Sequence, residues 1–208
     1  MTVWAVIPIK PRAACKSRLS DVLAPDQRLR LVRAMLRRVI AAARAAPGVG
    51  QVALLSNERD EAPVGLPLIA DRGTDLNSAL ARALPELRAL GATSLVVLPA
   101  DLPLLTPRDV GVLARIAAAG GVAVAPDWRE RGTNALAGPA ALPPWFHFGA
   151  GSYAAHLAAA EALGVRAQTV RSDGLAFDLD EPEMLHRAWP LFPRRVLPAD
   201  PVEPLRIP

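Results

Sequence analysis

Three short segments place charged side chains directly after apolar runs, where a buried chain emerges into solvent. The first is Pro8-Ile9-Lys10-Pro11-Arg12-Ala13-Ala14-Cys15-Lys16-Ser17-Arg18, with four cations and a hydroxyl within nine residues. Such a cluster supplies the positive donors that a triphosphate needs, or it is a plain solvated basic loop. It is not a Walker A loop, because the GxxxxGK[ST] glycines are missing. The second is Pro99-Ala100-Asp101-Leu102-Pro103. A carboxylate held between prolines just beyond a buried strand suits Mg²⁺, which takes one or two carboxylates and fills its shell with phosphate oxygens and water. A turn or helix-capping aspartate is the alternative. The third is Phe177-Asp178-Leu179-Asp180-Glu181. If this segment is extended, Asp178 and Asp180 share a side. One of them can join Asp101 at a cation and the other can cap a helix that begins near Glu181.

Two further segments offer backbone N–H groups and hydroxyls without charge. These are Arg131-Gly132-Thr133-Asn134 and Phe148-Gly149-Ala150-Gly151-Ser152. Small residues let a ligand approach the main chain, and Ser152 is expected at a helix N-terminus, where anions are favoured. His156 follows four residues later and can face the same place, whereas His147 and His186 have no partner pattern. There is no HExxH, CxxC or Gly-x-Ser-x-Gly, so zinc hydrolysis and serine-nucleophile chemistry have no support.

The elements that must position these residues alternate. Strands are expected at Val3–Pro8, Gln51–Ser56, Pro67–Ala70, Ser94–Pro99, Gly121–Pro126, Thr133–Ala137 and Arg166–Val170. Helices are expected from Pro25-Asp26 to about Ala43, Leu76–Leu90, Thr106 to about Ala119, Ser152–Leu163 and Glu181–Trp189. In the first helix, Leu29, Val32, Leu36, Val39, Ile40 and Ala43 recur at helical spacing. The Ser94 strand is apolar on both faces, as a central parallel strand is. Alternating strands and helices make an α/β domain with a mostly parallel sheet covered on both faces. Ligands in such sheets bind outside the carboxyl ends of the strands, which is where the charged segments fall. One domain spans 1–192. A tail over 193–208 carries five prolines and little pattern.

Composition narrows the function classes. The 208 residues are 51% hydrophobic but only 4% aromatic, so the core must be Ala, Val and Leu. No apolar run approaches the ~20 residues of a membrane span. No basic segment precedes the first apolar run, which therefore reads as a buried strand and not as a signal peptide. The single Cys15 rules out an internal disulfide. A cytoplasmic protein is the expectation. Residues 1–50 hold ten Lys/Arg and two Asp/Glu, a net of 10 − 2 = +8, while the rest carries 14 − 18 = −4. A basic N-terminal quarter suits a polyanionic partner. Nucleic acid is disfavoured, because Arg28, Arg30, Arg33, Arg37, Arg38 and Arg44 are spread around their helix and stacking aromatics are scarce. The tail and the amphipathic helices could support a homodimer, although nothing in the sequence requires one.

Taken in order, Pro8-Ile9-Lys10, Ala14-Cys15-Lys16-Ser17-Arg18-Leu19, Asp75-Leu76-Asn77-Ser78-Ala79-Leu80, Pro99-Ala100-Asp101-Leu102-Pro103, Gly132-Thr133-Asn134, Phe148-Gly149-Ala150-Gly151-Ser152 with His156, and Phe177-Asp178-Leu179-Asp180 resemble the 2-phospholactate/phosphoenolpyruvate/3-phosphoglycerate guanylyltransferases of coenzyme F-420 biosynthesis. The resemblance runs to about residue 190. It implies a three-layer, Rossmann-like nucleotidyltransferase fold shared with the molybdenum-cofactor guanylyltransferases. It implies transfer of GMP from GTP to a phosphorylated three-carbon acid with Mg²⁺ as cofactor. The nucleotide would be held by Pro8, Lys10, Lys16, Ser17, Arg18, Asn77 and Asp101, with Lys16, Arg18 and Asp101 central to catalysis. Metal would be bound by Asp101 with Asp178 or Asp180, and the acceptor by Thr133, Gly149 and Ser152. Cys15 stands where many relatives carry a small alanine. Two readings compete. A molybdopterin-type nucleotidyltransferase is disfavoured because the first loop lacks Leu-Ala-Gly-Gly. A non-catalytic nucleotide binder is disfavoured by retention of the three aspartates.

Overall fold

The first strand shows why this chain makes a three-layer molecule. In β1 (Val3–Pro8), Val3, Ala5 and Ile7 point to one face of the sheet, Trp4 and Val6 to the other, and all five are buried. A strand apolar on both faces needs a cover on each. The computed structural model, which describes residues 1–9, 16–58, 65–192 and 196, supplies both.

The strands β2 (Val49–Leu55), β3 (Leu68–Ile69), β4 (Ser94–Val97), β5 (Val122–Pro126), β6 (Thr133–Pro139) and β7 (Ala167–Thr169) complete a seven-stranded sheet in the order β3-β2-β1-β4-β6-β5-β7. β6 alone runs antiparallel to its neighbours β4 and β5, and the other pairings are parallel. β4 is the middle strand, as its two apolar faces led one to expect. The reversal of β6 has a consequence for function. Its first residues, not its last, lie at the carboxyl edge of the sheet, so Thr133 and Asn134 arrive beside Asp101.

One face is covered by α1 (Pro25–Arg44) and α3 (Pro107–Ala118), the other by α2 (Leu76–Ala89) and α4 (Ser152–Ala162). Proline at N1 opens α1 and α3 because its missing N–H is one the first turn does not need. Thr106 and Asp109 form a reciprocal capping box on α3, and the Asp75 carboxylate accepts from Asn77 and Ser78 at the start of α2. Two short helices were not anticipated from sequence: α5 (Asp173–Ala176) and a 3₁₀ turn at Ser17–Leu19. α6 (Pro182–Ala188) and a 3₁₀ turn at Trp189–Leu191 close the described chain.

A third, smaller core joins the two ends of the domain. Leu19 and Leu23, Leu31 and Met35 of α1, Phe177, Leu179, Leu185 and Phe192 pack together. This alters the buried stripe of α1. Leu31 and Met35 are buried, while Leu29 and Val32 of the expected stripe are only half-buried. The C-terminal segment covers a flank of the helix that helical spacing alone assigns to solvent. The tail residues 193–195 and 197–208 and the loop residue Lys10 lie outside the described residues. No helix among the described residues is long and apolar enough to cross a membrane.

Candidate active site

Three chain segments meet at the carboxyl edge of the sheet. The turn after β4 carries Asp101. The segment between α5 and α6 passes alongside, fixed by a hydrogen bond from the Leu179 N–H to the Asp101 carbonyl of 3.1 Å. This segment alternates as an extended chain does. Phe177 and Leu179 are buried in the third core, so Asp178 and Asp180 both face the mouth, as their spacing predicted. Neither caps α6, whose N-cap Glu181 makes no side-chain capping bond. The capping alternative for the Asp178/Asp180 pair is therefore set aside.

The basic loop contributes Lys16. Its backbone has φ 54°, a left-handed conformation that costs energy for a residue with a Cβ. Its carbonyl accepts from Leu19 N–H at 3.0 Å and so begins the 3₁₀ turn. The Lys16 Nζ donates to Asp101 Oδ2 at 2.7 Å and to Asp180 Oδ1 at 2.5 Å. Its side chain is 9% exposed, against 29% for Asp101 and 43% for Asp180, so the ammonium lies beneath the carboxylates. Burial alone would lower the lysine pKa, but the two carboxylates outweigh it and hold the pKa above the ordinary lysine value. Arg18, on the rim, comes within 4.0 Å of Asp180.

Asp178 sits deeper. Burial raises its carboxyl pKa, the Asn134 hydrogen bond opposes that, and the charges of Asp101 and Asp180 add to the rise. Asn134 spends its amide N–H groups on Asp178 Oδ1 at 3.2 Å and on the carbonyls of Leu175 at 3.0 Å and Ala176 at 3.2 Å. Asn134 thus ties β6 to α5 and to the acidic segment. The sequence reading placed Asn134 in a motif but gave it no role.

Asn134 reaches this side because of a bulge. The register of β5 against β6 skips between Ala125↔Ala135 and Pro126↔Thr133, so Thr133 and Asn134 together oppose Pro126. A β-bulge re-aims side chains. Asn134 turns toward α5, and Thr133 turns toward α4 on the other face, where its Oγ1 lies 2.9 Å from His156 Nδ1. The hairpin turn before it is held by the Asp127 carboxylate, which accepts from Arg131 N–H at 2.9 Å and Gly132 N–H at 3.0 Å. A Cβ on Gly132 would stand 2.8 Å from that carboxylate.

The loop 147–151 forms the opposite wall. Gly151 caps α4 with φ 71°, and Ser152 is buried at its first turn. Asn77, in the first turn of α2, pairs with the main chain of Phe148: its Nδ2 donates to the Phe148 carbonyl at 2.9 Å and its Oδ1 accepts the Phe148 N–H at 2.7 Å. His156 accepts the His147 N–H on Nε2 at 2.9 Å. The structure therefore brings Lys16, Arg18, Asp101, Asp178 and Asp180 into one cluster. Thr133, Gly149 and Ser152 lie around His156, and Asn77 braces the loop. Pro8 ends β1, half-exposed. Lys10 and the Ser17 side chain fall outside what is described.

Among the described residues, no three Asp, Glu, His or Cys side chains are grouped so as to hold a metal ion by themselves. Two carboxylates that share one ammonium are nevertheless within reach of one cation. A hard-oxygen pair open to solvent is the donor set that Mg²⁺ accepts when phosphate oxygens complete its shell.

Comparison with known proteins places this arrangement. The guanylyl transferase CofC-like family matches residues 3–188. A phosphoenolpyruvate guanylyltransferase of Rubrobacter xylanophilus is 42% identical over 194 residues, covering 90% of this chain and 93% of that one. One from Chloroflexus aggregans is 41% identical over 193 residues, covering 89% and 96%. In fold, a crystal structure from Desulfovibrio desulfuricans G20 assigned as a nucleotide-diphospho-sugar transferase superposes with TM-score 0.74 at 15% identity, covering 88% of this chain and 84% of that chain. Lys16, the Asp101 turn, the bulged β6 and the Asp178/Asp180 segment thus meet at the carboxyl edge of a sheet of the nucleotidyltransferase fold, and the chain belongs to the guanylyl transferase CofC-like family.

Proposed function

We propose that this guanylyltransferase transfers GMP from GTP to phosphoenolpyruvate, releasing pyrophosphate, as a step toward coenzyme F-420. The observation that carries the site assignment is the Lys16 ammonium seated between Asp101 and Asp180. It joins a cation of the basic N-terminal segment to carboxylates from two separate segments, which supports the reading of a phosphate-binding and metal-binding site. The acceptor follows the names of the relatives. 2-phospholactate and 3-phosphoglycerate differ from it by little, and one pocket group is worth only ~1–3 kcal/mol against such analogues.

An oxygen of the acceptor phosphate attacks the α-phosphorus of GTP. A new P–O bond forms, the bond to the β-bridging oxygen breaks, and its electron pair leaves with pyrophosphate. The nucleophile is already an anion, so no general base is required. Catalysis is alignment of two polyanions and neutralisation of their charge. Asp101 and Asp180, with Asp178 behind them, would hold Mg²⁺. That ion, when bound, screens the phosphates from each other and polarises the α-phosphoryl group. Arg18, on the rim, and Lys16, once the ion takes over the two carboxylates, would neutralise the triphosphate. Thr133, Gly149 and Ser152 receive the acceptor acid beside the loop that His156 and Asn77 hold. The use of GTP and a phosphorylated acid as substrates supports a cytoplasmic site of reaction.

The test is pyrophosphate release by the purified protein with GTP and Mg²⁺, each of the three phospho-acids being offered in turn and ATP and CTP serving as controls. Turnover with GTP and phosphoenolpyruvate, and markedly less with the other acids or nucleotides, is expected. Turnover with only 2-phospholactate or 3-phosphoglycerate would overturn the acceptor, and equal use of ATP would overturn the base preference.

A further inference from the structure

We infer that His156 is a positioning residue that turns the proton of the Thr133 hydroxyl outward, into the acceptor site, where it favours an oxygen acceptor such as a carboxylate or phosphate. The inference rests on the reading that Thr133 meets the acceptor.

The argument is one of hydrogen-bond valence. The His147 backbone N–H can only donate, and it points at His156 Nε2 at 2.9 Å. Nε2 must therefore present a lone pair. The proton of the neutral ring is then on Nδ1. Nδ1 lies 2.9 Å from Thr133 Oγ1, and the ring also has a backbone hydrogen bond with Ser152, one turn earlier on α4. An Nδ1–H cannot accept, so Thr133 Oγ1 is the acceptor of that bond and its own proton must turn elsewhere. Thr133 is half-buried at the carboxyl edge of the sheet, so that direction is toward the mouth. A carboxylate or phosphate oxygen accepts such a proton, whereas an ammonium group, which only donates, cannot.

The ring is held in this state. It is fully buried, with Phe148 edge-on at 4.9 Å between centroids, and Trp145 and His147 at 6.4 and 6.0 Å. Burial, with the adjacent His147 imidazole second, lowers its pKa to about 4. A second proton, on Nε2, would also break the bond to His147. The same ring thus fixes the donor on β6 and the loop that carries Gly149. Both ring nitrogens are already engaged, Nδ1 with Thr133 and Nε2 with the His147 N–H, which leaves the ring no free nitrogen for general acid or base work.

Two measurements decide the matter. Long-range ¹H–¹⁵N correlation spectra of the labelled wild-type protein should show His156 as the Nδ1–H tautomer, unchanged between pH 5.5 and 8. An Nε2–H tautomer, or titration near 6.5, would overturn the inference while leaving the acceptor site standing. In steady-state kinetics, Thr133→Val should raise the acceptor KM about 10- to 100-fold with the GTP KM little changed, in line with loss of a hydrogen bond to a charged group. Thr133→Ser should recover most of that loss. His156→Gln, whose Oε1 can still accept the His147 N–H and so keep the loop, should add little further to the acceptor KM when introduced into Thr133→Val. Full additivity would overturn the coupling between the two residues. An unchanged acceptor KM in Thr133→Val would overturn the acceptor reading of Thr133, and this inference with it.

Discussion

A lysine side chain that bridges two carboxylates at hydrogen-bond distance is more than an ion pair here, since the same carboxylates are the donors proposed for a divalent cation. Removing the ammonium leaves Asp101 and Asp180 without their shared counter-charge. Lys16→Ala is therefore expected to bind Mn²⁺ about 10-fold more tightly than wild type without nucleotide, read by electron paramagnetic resonance, although transfer activity falls. Equal Mn²⁺ affinity would show that the ammonium and the ion do not compete. Asp101→Asn should lower turnover by about 100-fold or more, in line with loss of one electrostatic partner of the transition state. Asp101 is at the mouth and its carbonyl, not its side chain, holds Leu179, so the variant should melt within a few degrees of wild type. Near-normal turnover would remove Asp101 from the metal site.

At the scale of elements, the reach of α2 into the site is the informative case. Asn77 belongs to a motif that implied nucleotide contact, and its amide is engaged with both main-chain groups of Phe148. A side-chain amide paired this way does for the loop what a strand neighbour would do. It braces the 147–151 turn whose glycines expose backbone N–H groups. Asn77→Ala is expected to raise the acceptor KM more than the GTP KM. A rise in the GTP KM alone would return Asn77 to the nucleoside. The bulge in β6 is the other element-scale device, since it breaks the alternation and puts Asn134 on the same face as Ala135, toward α5, leaving Thr133 to face α4.

At the scale of the whole molecule, charge and burial set the response to conditions. The first 50 residues carry a net +8 against −4 for the rest, a field that would steer the proposed triphosphate substrate toward this part of the chain. The GTP KM should rise between about 50 and 500 mM KCl as screening shortens, and a flat profile would argue against long-range attraction. Stability against acid follows from His156. Its folded pKa of about 4 lies below its unfolded value of 6.5, so the unfolded state takes up the proton first. The contribution is whole above pH 6.5 and is lost as the pH falls toward 4, at most on the order of 3 kcal/mol. Urea unfolding of wild type and His156→Gln over this range isolates it from the carboxylates, which titrate in both. Equal pH slopes for the two proteins would contradict the low histidine pKa.

The sequence by itself determined the alternation of strands and helices, the two-faced β4, the capped start of α3, and the positions of Lys16, Asp101 and the Asp178/Asp180 pair after apolar runs. Those features are local, because apolar periodicity, caps and prolines act within a few residues. What only the tertiary structure decided depends on partners distant in the chain. Lys16 meets residues 85 and 164 positions away. The burial of Leu31 and Met35 waits on the C-terminal segment. The direction of β6 and its bulge are properties of pairing with β4 and β5. The tautomer of His156 follows from one backbone N–H nine residues earlier that folding aims at its ring. Sequence spacing can say that such groups lie at the mouth of the sheet. Which atom donates to which is fixed when the chain closes and each buried polar group must find its partner.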